Sequence, residues 1–228
     1  MDNIPKVSDA NTKAGHQRQA RCFIFDVDGV LNDYVAMDYR KYLANKSGNA
    51  LEKVAEVLMD TKSPLRDLIQ NTISLGEFNV KVASALNMNP EDIDWIEYYK
   101  RVKPNHETLT IVRDLTARGY VTAFMTNSDK NRYDLTVASI CGSIPLGFAA
   151  YQLGSSKPEK ESYERAMARI TKATSEHFSY GETVFIDDSK KNVDGAKAVG
   201  MIAILFTSAE ALKAELECLI SAGQRKPC

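Results

Sequence analysis

The feature that most constrains this chain is a set of short apolar runs, each breaking off abruptly into polar or acidic residues. CFIFDVDGVLND, YVTAFMTNS (120–128), TVFIDDS (183–189) and MIAILFTS (201–208) share that form, and LGFAA (146–150) is a weaker copy. Runs of this length suit strands buried on both faces, which read as continuous apolar sequence rather than as an alternation. Stretches of helical period fill the gaps. HETLTIVRDLTARG closes on Gly119, KPEKESYERAMARI opens with Pro158 near its start, and SKKNVDGAKAVG closes on Gly200. Strand and helix in alternation predict an α/β fold, a parallel sheet with helices on both faces.

Residues 34–102 interrupt the alternation. VAMDYRKYLANK, NALEKVAEVLMD, GEFNVKVASALNM and PEDIDWIEYYKRV all read as helices, with no convincing strand between them. This predicts an inserted α-helical cap subdomain that leaves just after the aspartate-rich loop and returns at 102–104. Both connections then lie beside that loop, where a hinged lid would sit; a rigid helical elaboration on the sheet edge is the other reading. Trp95, Tyr98 and Tyr99 share one helix face, which suits packing within the lid or one ring turned to a substrate. The core is then 21–33 and 103–221. Residues 1–20 hold no aromatic and no apolar run, so they read as a flexible tail rather than a signal peptide, and 222–228 as a C-terminal tail.

Lys plus Arg total 29 and Asp plus Glu 30, a net charge of -1, so no strong field recruits nucleic acid or a membrane surface. No apolar run is long enough to span a bilayer. The four cysteines lie far apart with no CxxC pair, which fits reduced thiols and a cytoplasmic protein. None of His16, His106 and His177 stands at metal-ligand spacing from a cysteine or another histidine. Nothing in the sequence sets the oligomeric state.

Chemistry concentrates at the strand ends. Asp26 and Asp28 follow an apolar run directly, and Gly29 behind them lets the backbone turn and present amides to an anion. Asp187 and Asp188 end another run in the same way. In an open parallel sheet the carboxyl ends of strands are where ligands bind. If the two strands are neighbours, three or four carboxylates converge, and their repulsion calls for a hard divalent cation with oxygen ligands, of which Mg2+ is the natural choice. Thr126, Asn127 and Ser128 offer a hydroxyl, an amide and backbone donors. Lys157, just before Pro158, offers a charge, with Lys130 and Lys160 as nearby alternatives. A metal, a lysine, a hydroxyl and amides around a carboxylate describe a phosphoryl-transfer site, with Asp26 as nucleophile. Asn192 and Asp194 either orient the Asp187–Asp188 loop or face solvent.

In these residues the chain resembles the haloacid dehalogenase-like superfamily of phosphohydrolases. Its four motifs stand in order: FIFDVDGVL with Asp26 and Asp28, FMTNS with Thr126, SSKPEKESY with Lys157, and VFIDDSKKNVDGAKAVGM with Asp187 and Asp188. The resemblance covers 21–33 and 103–208, while the helical insertion matches the family's lid in position more than in residues. It implies a Rossmann-like core and an aspartyl-phosphate mechanism. Asp26 attacks phosphorus, and Asp28 protonates the leaving oxygen and then activates water. Thr126 and the Asn127 amide bind the phosphoryl oxygens, and Lys157 holds Asp26 and the transferring group. Mg2+ is coordinated by the Asp26 carboxylate, the Asp28 backbone carbonyl and Asp188, with Asp187 direct or through water.

The expectation is a Mg2+-dependent phosphatase acting on a small phosphorylated metabolite such as a sugar phosphate. A phosphomutase would use the same residues, and a non-catalytic binding protein of this fold usually loses one of the carboxylates present here. A dehalogenase expels halide and needs no second aspartate, so Asp28 argues against it.

Overall fold

The computed structural model describes residues 19–33, 36–59 and 63–224. The expected tail up to residue 18, the first residues of the insertion (34–35), residues 60–62 and 225–228 lie outside the described residues. β1 (Cys22–Phe25) leads into α1 (Ala36–Ser47), α2 (Leu51–Met59), α3 (Pro64–Ile69), α4 (Leu75–Leu86) and α5 (Trp95–Tyr99). Then come α6 (His106–Ala117), β2 (Val121–Thr126), α7 (Lys130–Arg132), a π-helical turn (Tyr133–Val137), α8 (Ala138–Cys141), β3 (Leu146–Ala149) and α9 (Ala150–Leu153). The chain closes with α10 (Lys160–Thr174), β4 (Thr183–Asp187), α11 (Lys190–Ala198), β5 (Ile202–Leu205) and α12 (Ala209–Gln224).

The strands form one parallel sheet in the order β3-β2-β1-β4-β5. Its strands are largely apolar because both faces are covered. Phe23, Phe25, Phe124 and Ile186 pack with Leu109, Val112 and Leu115 of α6 and with Leu212, Leu216 and Ile220 of α12. Cys22, Ile24, Met125 and Phe185 pack on the other face, against Tyr163, Ala166 and Ile170 of α10 and Ala196 of α11. Each of the fully buried phenylalanines contributes roughly 2 kcal/mol by leaving water. β1 lies at the centre, so the ends of β2 and β4 flank the end of β1.

The helical segment between β1 and β2 buries its own cluster, including Tyr39, Leu43, Val54, Phe78, Val82, Leu86, Trp95 and Tyr99. The Trp95 indole N–H donates to Asn79 Oδ1 at 2.6 Å, and its ring lies 3.9 Å from that of Tyr39. Trp95 and Tyr99 therefore pack within the segment, while the side chain of Tyr98 lies outside the described residues. α4 starts on a capping box in which Ser74 Oγ accepts from the Glu77 N–H and the Glu77 carboxylate accepts from the Ser74 N–H. The segment's two connections are stitched together. Asp33 N–H donates to the Lys103 carbonyl at 2.9 Å, Lys103 N–H to Asp33 Oδ1 at 2.6 Å, and Asn105 N–H to the Leu31 carbonyl at 2.9 Å.

Some elements differ from expectation. LGFAA is a true edge strand, β3. The PEDIDWIEYYKRV run splits into a 3-10 turn at Pro90–Asp92 and the short α5. Ala20, expected in the tail, is 3% exposed because it packs under the sheet, and α12 continues to Gln224, past the expected boundary at 221. Among the described residues no helix is long and apolar enough to cross a membrane.

Candidate active site

β1 ends at Phe25, and Asp26 N–H still donates to the Ile186 carbonyl of β4 at 2.7 Å, which brings the first acidic loop against the second. Carboxylate oxygens of Asp26, Asp187 and Asp188 lie within 4.8 Å of one another. Lys157 enters from the loop before α10 and places Nζ 2.7 Å from Asp26 Oδ1 and 2.7 Å from Asp187 Oδ2. Its side chain is 1% exposed and lies over the Phe185 ring. Lys130 and Lys160, the alternatives, are on the surface and pair with Asp134 and Glu164 one turn along their helices.

Three carboxylates against one ammonium leave excess negative charge in a buried place, and burial first and the surrounding charges second bear on the acids. Burial pushes the Asp26 carboxyl well above its usual range; Lys157 opposes this, while Asp187 and Asp28 add to it. Burial and Asp187 likewise raise Asp188. Burial alone would lower the Lys157 ammonium, but Asp26 and Asp187 outweigh it and hold it above its ordinary value.

The second loop is rigidly held. Asp187 accepts from the Ser189 N–H at 2.9 Å and from Asn192 Nδ2 at 3.1 Å on each oxygen. Asn192 thus orients this carboxylate, whereas Asp194 pairs with Lys190 on the surface. Asp188 stands directly over Gly29. A Cβ built there would overlap Asp188 Oδ2, and Gly29 has φ +75°, so both space and backbone require glycine.

The remaining residues divide. Thr126 Oγ1, at the end of β2, is buried with no hydrogen-bond partner among the described residues, a costly state that a ligand oxygen would relieve. The Asn127 side chain ties two loops together: its Nδ2 donates to the Lys157 carbonyl at 2.8 Å, and its Oδ1 accepts from the Lys157 N–H at 2.9 Å. Its backbone amide stays available to an anion. The Asp28 carboxylate is not part of the acidic cluster; its Oδ1 accepts from Arg132 and, at 3.1 Å, from Asn32. Arg132 and Asn32 are not among the sequence-predicted residues. The signal in the sequence is faint, an Asp129 N-cap that starts a short helix after FMTNS.

The acidic donor set fits a hard divalent cation, since oxygen ligands with net negative charge converge there and an unpartnered hydroxyl stands at the next strand end. The arrangement can offer one buried carboxylate as a nucleophile and a second, outside the cluster, for proton transfer.

The sesquiterpene phosphatase astK of Aspergillus oryzae is 30% identical over 121 residues, which cover 52% of this chain and 59% of that protein. The chain thus spans less than two thirds of that curated relative's length. A HAD family enzyme of Bacteroides thetaiotaomicron, solved in complex with magnesium and inorganic phosphate, superposes with a TM-score of 0.61 at 17% identity, over 82% of this chain and 94% of that one. L-2-haloacid dehalogenase of Xanthobacter autotrophicus, solved with chloropropionic acid covalently bound, gives 0.58 at 17% identity, over 92% and 85%. These two structures share the fold. Residues 20–200 match the haloacid dehalogenase-like hydrolase family, and the chain belongs to that family.

Proposed function

We propose that the protein is a Mg2+-dependent phosphatase that hydrolyses a monoester of a small organic alcohol through an aspartyl phosphate. The observation that carries this reading is the division of the acids. Asp26 sits with Asp187 and Asp188, and Lys157 bonds the first two, while the Asp28 carboxylate lies outside that cluster. Halide departs without a proton, whereas an alkoxide needs one, so a separate carboxyl two residues from the nucleophile has a task only in ester cleavage. The phosphatase relative and the neighbour that binds magnesium and phosphate support the same choice over the dehalogenase neighbour.

Asp26 attacks phosphorus while the bond from phosphorus to the alcohol oxygen breaks, and Asp28 gives its proton to that oxygen. Asp28 then takes a proton from water as the water oxygen bonds to phosphorus and the bond to Asp26 breaks, which releases phosphate and restores both acids. Thr126 Oγ1 and the Asn127 amide hold phosphoryl oxygens, and Lys157 offsets the charge between Asp26 and the phosphoryl group. Mg2+, held by Asp26, Asp188 and the Asp28 carbonyl, would neutralise charge shared by nucleophile and phosphate. Asp187, whose oxygens accept from Lys157, Asn192 and the Ser189 amide, would meet the metal directly or through water. The segment 34–102 serves as a cap, since its connections flank the first acidic loop.

The test is phosphate release from a panel of sugar phosphates, glycerol phosphates and isoprenoid monophosphates, with Mg2+ and with EDTA. Release that requires Mg2+ supports the reading, and the best ester names the substrate class. A folded protein that releases phosphate from none of them refutes it.

A further inference from the structure

Arg132 is a buried cation that the mechanism above leaves without a task. It is 6% exposed, its guanidinium bonds Asp28 Oδ1, and its guanidinium carbon lies 5.5 Å from the centre of the Tyr99 ring. Its backbone is fixed as well, since the N–H donates to Asp129 Oδ1 at 3.2 Å at the start of α7, just before the π-helical turn. Single π turns recur at functional sites. Tyr99 belongs to α5, the last helix of the inserted segment, and is itself 4% exposed. The guanidinium therefore touches the core acid on one side and the helical segment on the other.

We propose that Arg132 is a positioning residue for Asp28, and that Tyr99 makes this positioning depend on how the helical segment is seated. The inference rests on the phosphatase reading. Arg132 and Asn32 both donate to Oδ1, so the proton that Asp28 transfers is carried on Oδ2. A planar guanidinium fixes the carboxylate plane in a way an ammonium does not, and the aromatic face beneath it holds the guanidinium in place. If α5 shifts, the ring shifts with it, and Asp28 loses its orientation while Asp26, Lys157 and Asp187 keep theirs.

The leaving group supplies a readout that a purely structural role would not move. p-Nitrophenolate departs without protonation, while an alkoxide does not. The full chain with Mg2+ is assayed on p-nitrophenyl phosphate and on whichever of butyl, glycerol and hexose phosphate it cleaves fastest. Arg132→Met is expected to lower kcat/KM, which reports phosphoryl transfer to Asp26 and not the later water step that both esters share, by ~10²-fold on the alkyl ester and by less than ~5-fold on the nitrophenyl ester. Arg132→Lys should recover part of the alkyl-ester loss. Tyr99→Leu, which leaves the Arg132–Asp28 pair in place, should show the same bias at smaller size, and carries the test if Arg132→Met does not fold. Equal losses of kcat/KM on both esters would overturn the proposal. So would a wild type that cleaves only the nitrophenyl ester, because Asp28 would then donate no proton. A wild type inactive on both esters removes the phosphatase reading itself.

Discussion

Lys157 and Arg132 each neutralise a carboxylate of the first acidic loop, yet they are anchored differently. Lys157 bonds core residues, its ammonium between Asp26 and Asp187 and its backbone to Asn127. Arg132 bridges a core acid that is 21% exposed and a ring of the helical segment. The difference teaches how one site can combine a fixed half and an adjustable half. In the proposed reaction the nucleophile needs an unchanging position against phosphorus, and the sheet provides it. The proton carrier has to work on whatever alcohol lies beneath the helical segment, and its support reaches into that segment.

The fixed half breaks most severely at Asp26. Asp26→Asn is nearly isosteric and leaves the Lys157–Asp187 pair in place, so the protein should fold while turnover falls by at least ~10³-fold. Phosphate-release assays beside a thermal melt check this, and turnover close to wild type would take the nucleophile's role from Asp26. Lys157→Met leaves Asp26 and Asp187 buried without a counter-charge, which should cost about 3–5 kcal/mol in urea unfolding without metal. Arg132→Met should cost less, because Asp28 is partly solvated. Equal costs would erase the distinction between the halves.

That distinction is only half visible in the sequence. β1 and β4 can be read because strands buried on both faces are continuous apolar runs, and Asp26, Asp187 and Asp188 stand where those runs stop. Lys157 is separated from Lys130 and Lys160 by its place before Pro158, and the structure shows the other two in surface pairs one turn apart. Arg132 cannot be read, because an arginine in the first turn of an N-capped helix has the same local pattern whether it meets solvent or a buried acid. Which way it points is set by Asp28 and Tyr99, both remote in sequence. The same holds for the Asn127 side chain, whose pairing with the Lys157 backbone is a contact between two loops.

A finer probe of the fixed half is Gly29→Ala. A left-handed backbone at φ +75° costs an L-residue about 1–2 kcal/mol. The new Cβ would also displace the Asp188 carboxylate, which occupies the space it needs. Urea unfolding should register the first effect, and calorimetric Mg2+ titration should register the second as a loss of roughly tenfold in affinity. Unchanged affinity would remove Asp188 from the ligand set.

The smallest effect concerns protons. Asp26 and Asp188 have raised pKa values in the folded, metal-free protein, chiefly through burial. Between the ordinary carboxylate range and those raised values the folded state binds more protons than the unfolded chain. Stability of the metal-free protein should therefore fall as pH rises through that window. Mg2+ binds the ionised acids, so its stabilising effect should grow over the same window as it displaces the protons. At a fivefold excess over Kd the gain near neutrality is about 1 kcal/mol, or a few degrees in Tm. Melting curves with Mg2+ and with EDTA across the window check the sign. A Mg2+ effect that is flat with pH, or that survives intact in Asp188→Asn, would mean that the metal's stabilisation does not come from these acids, and the fixed half of the site would then owe its order to Lys157 and the hydrogen bonds of Asn192, Ser189 and Asn127.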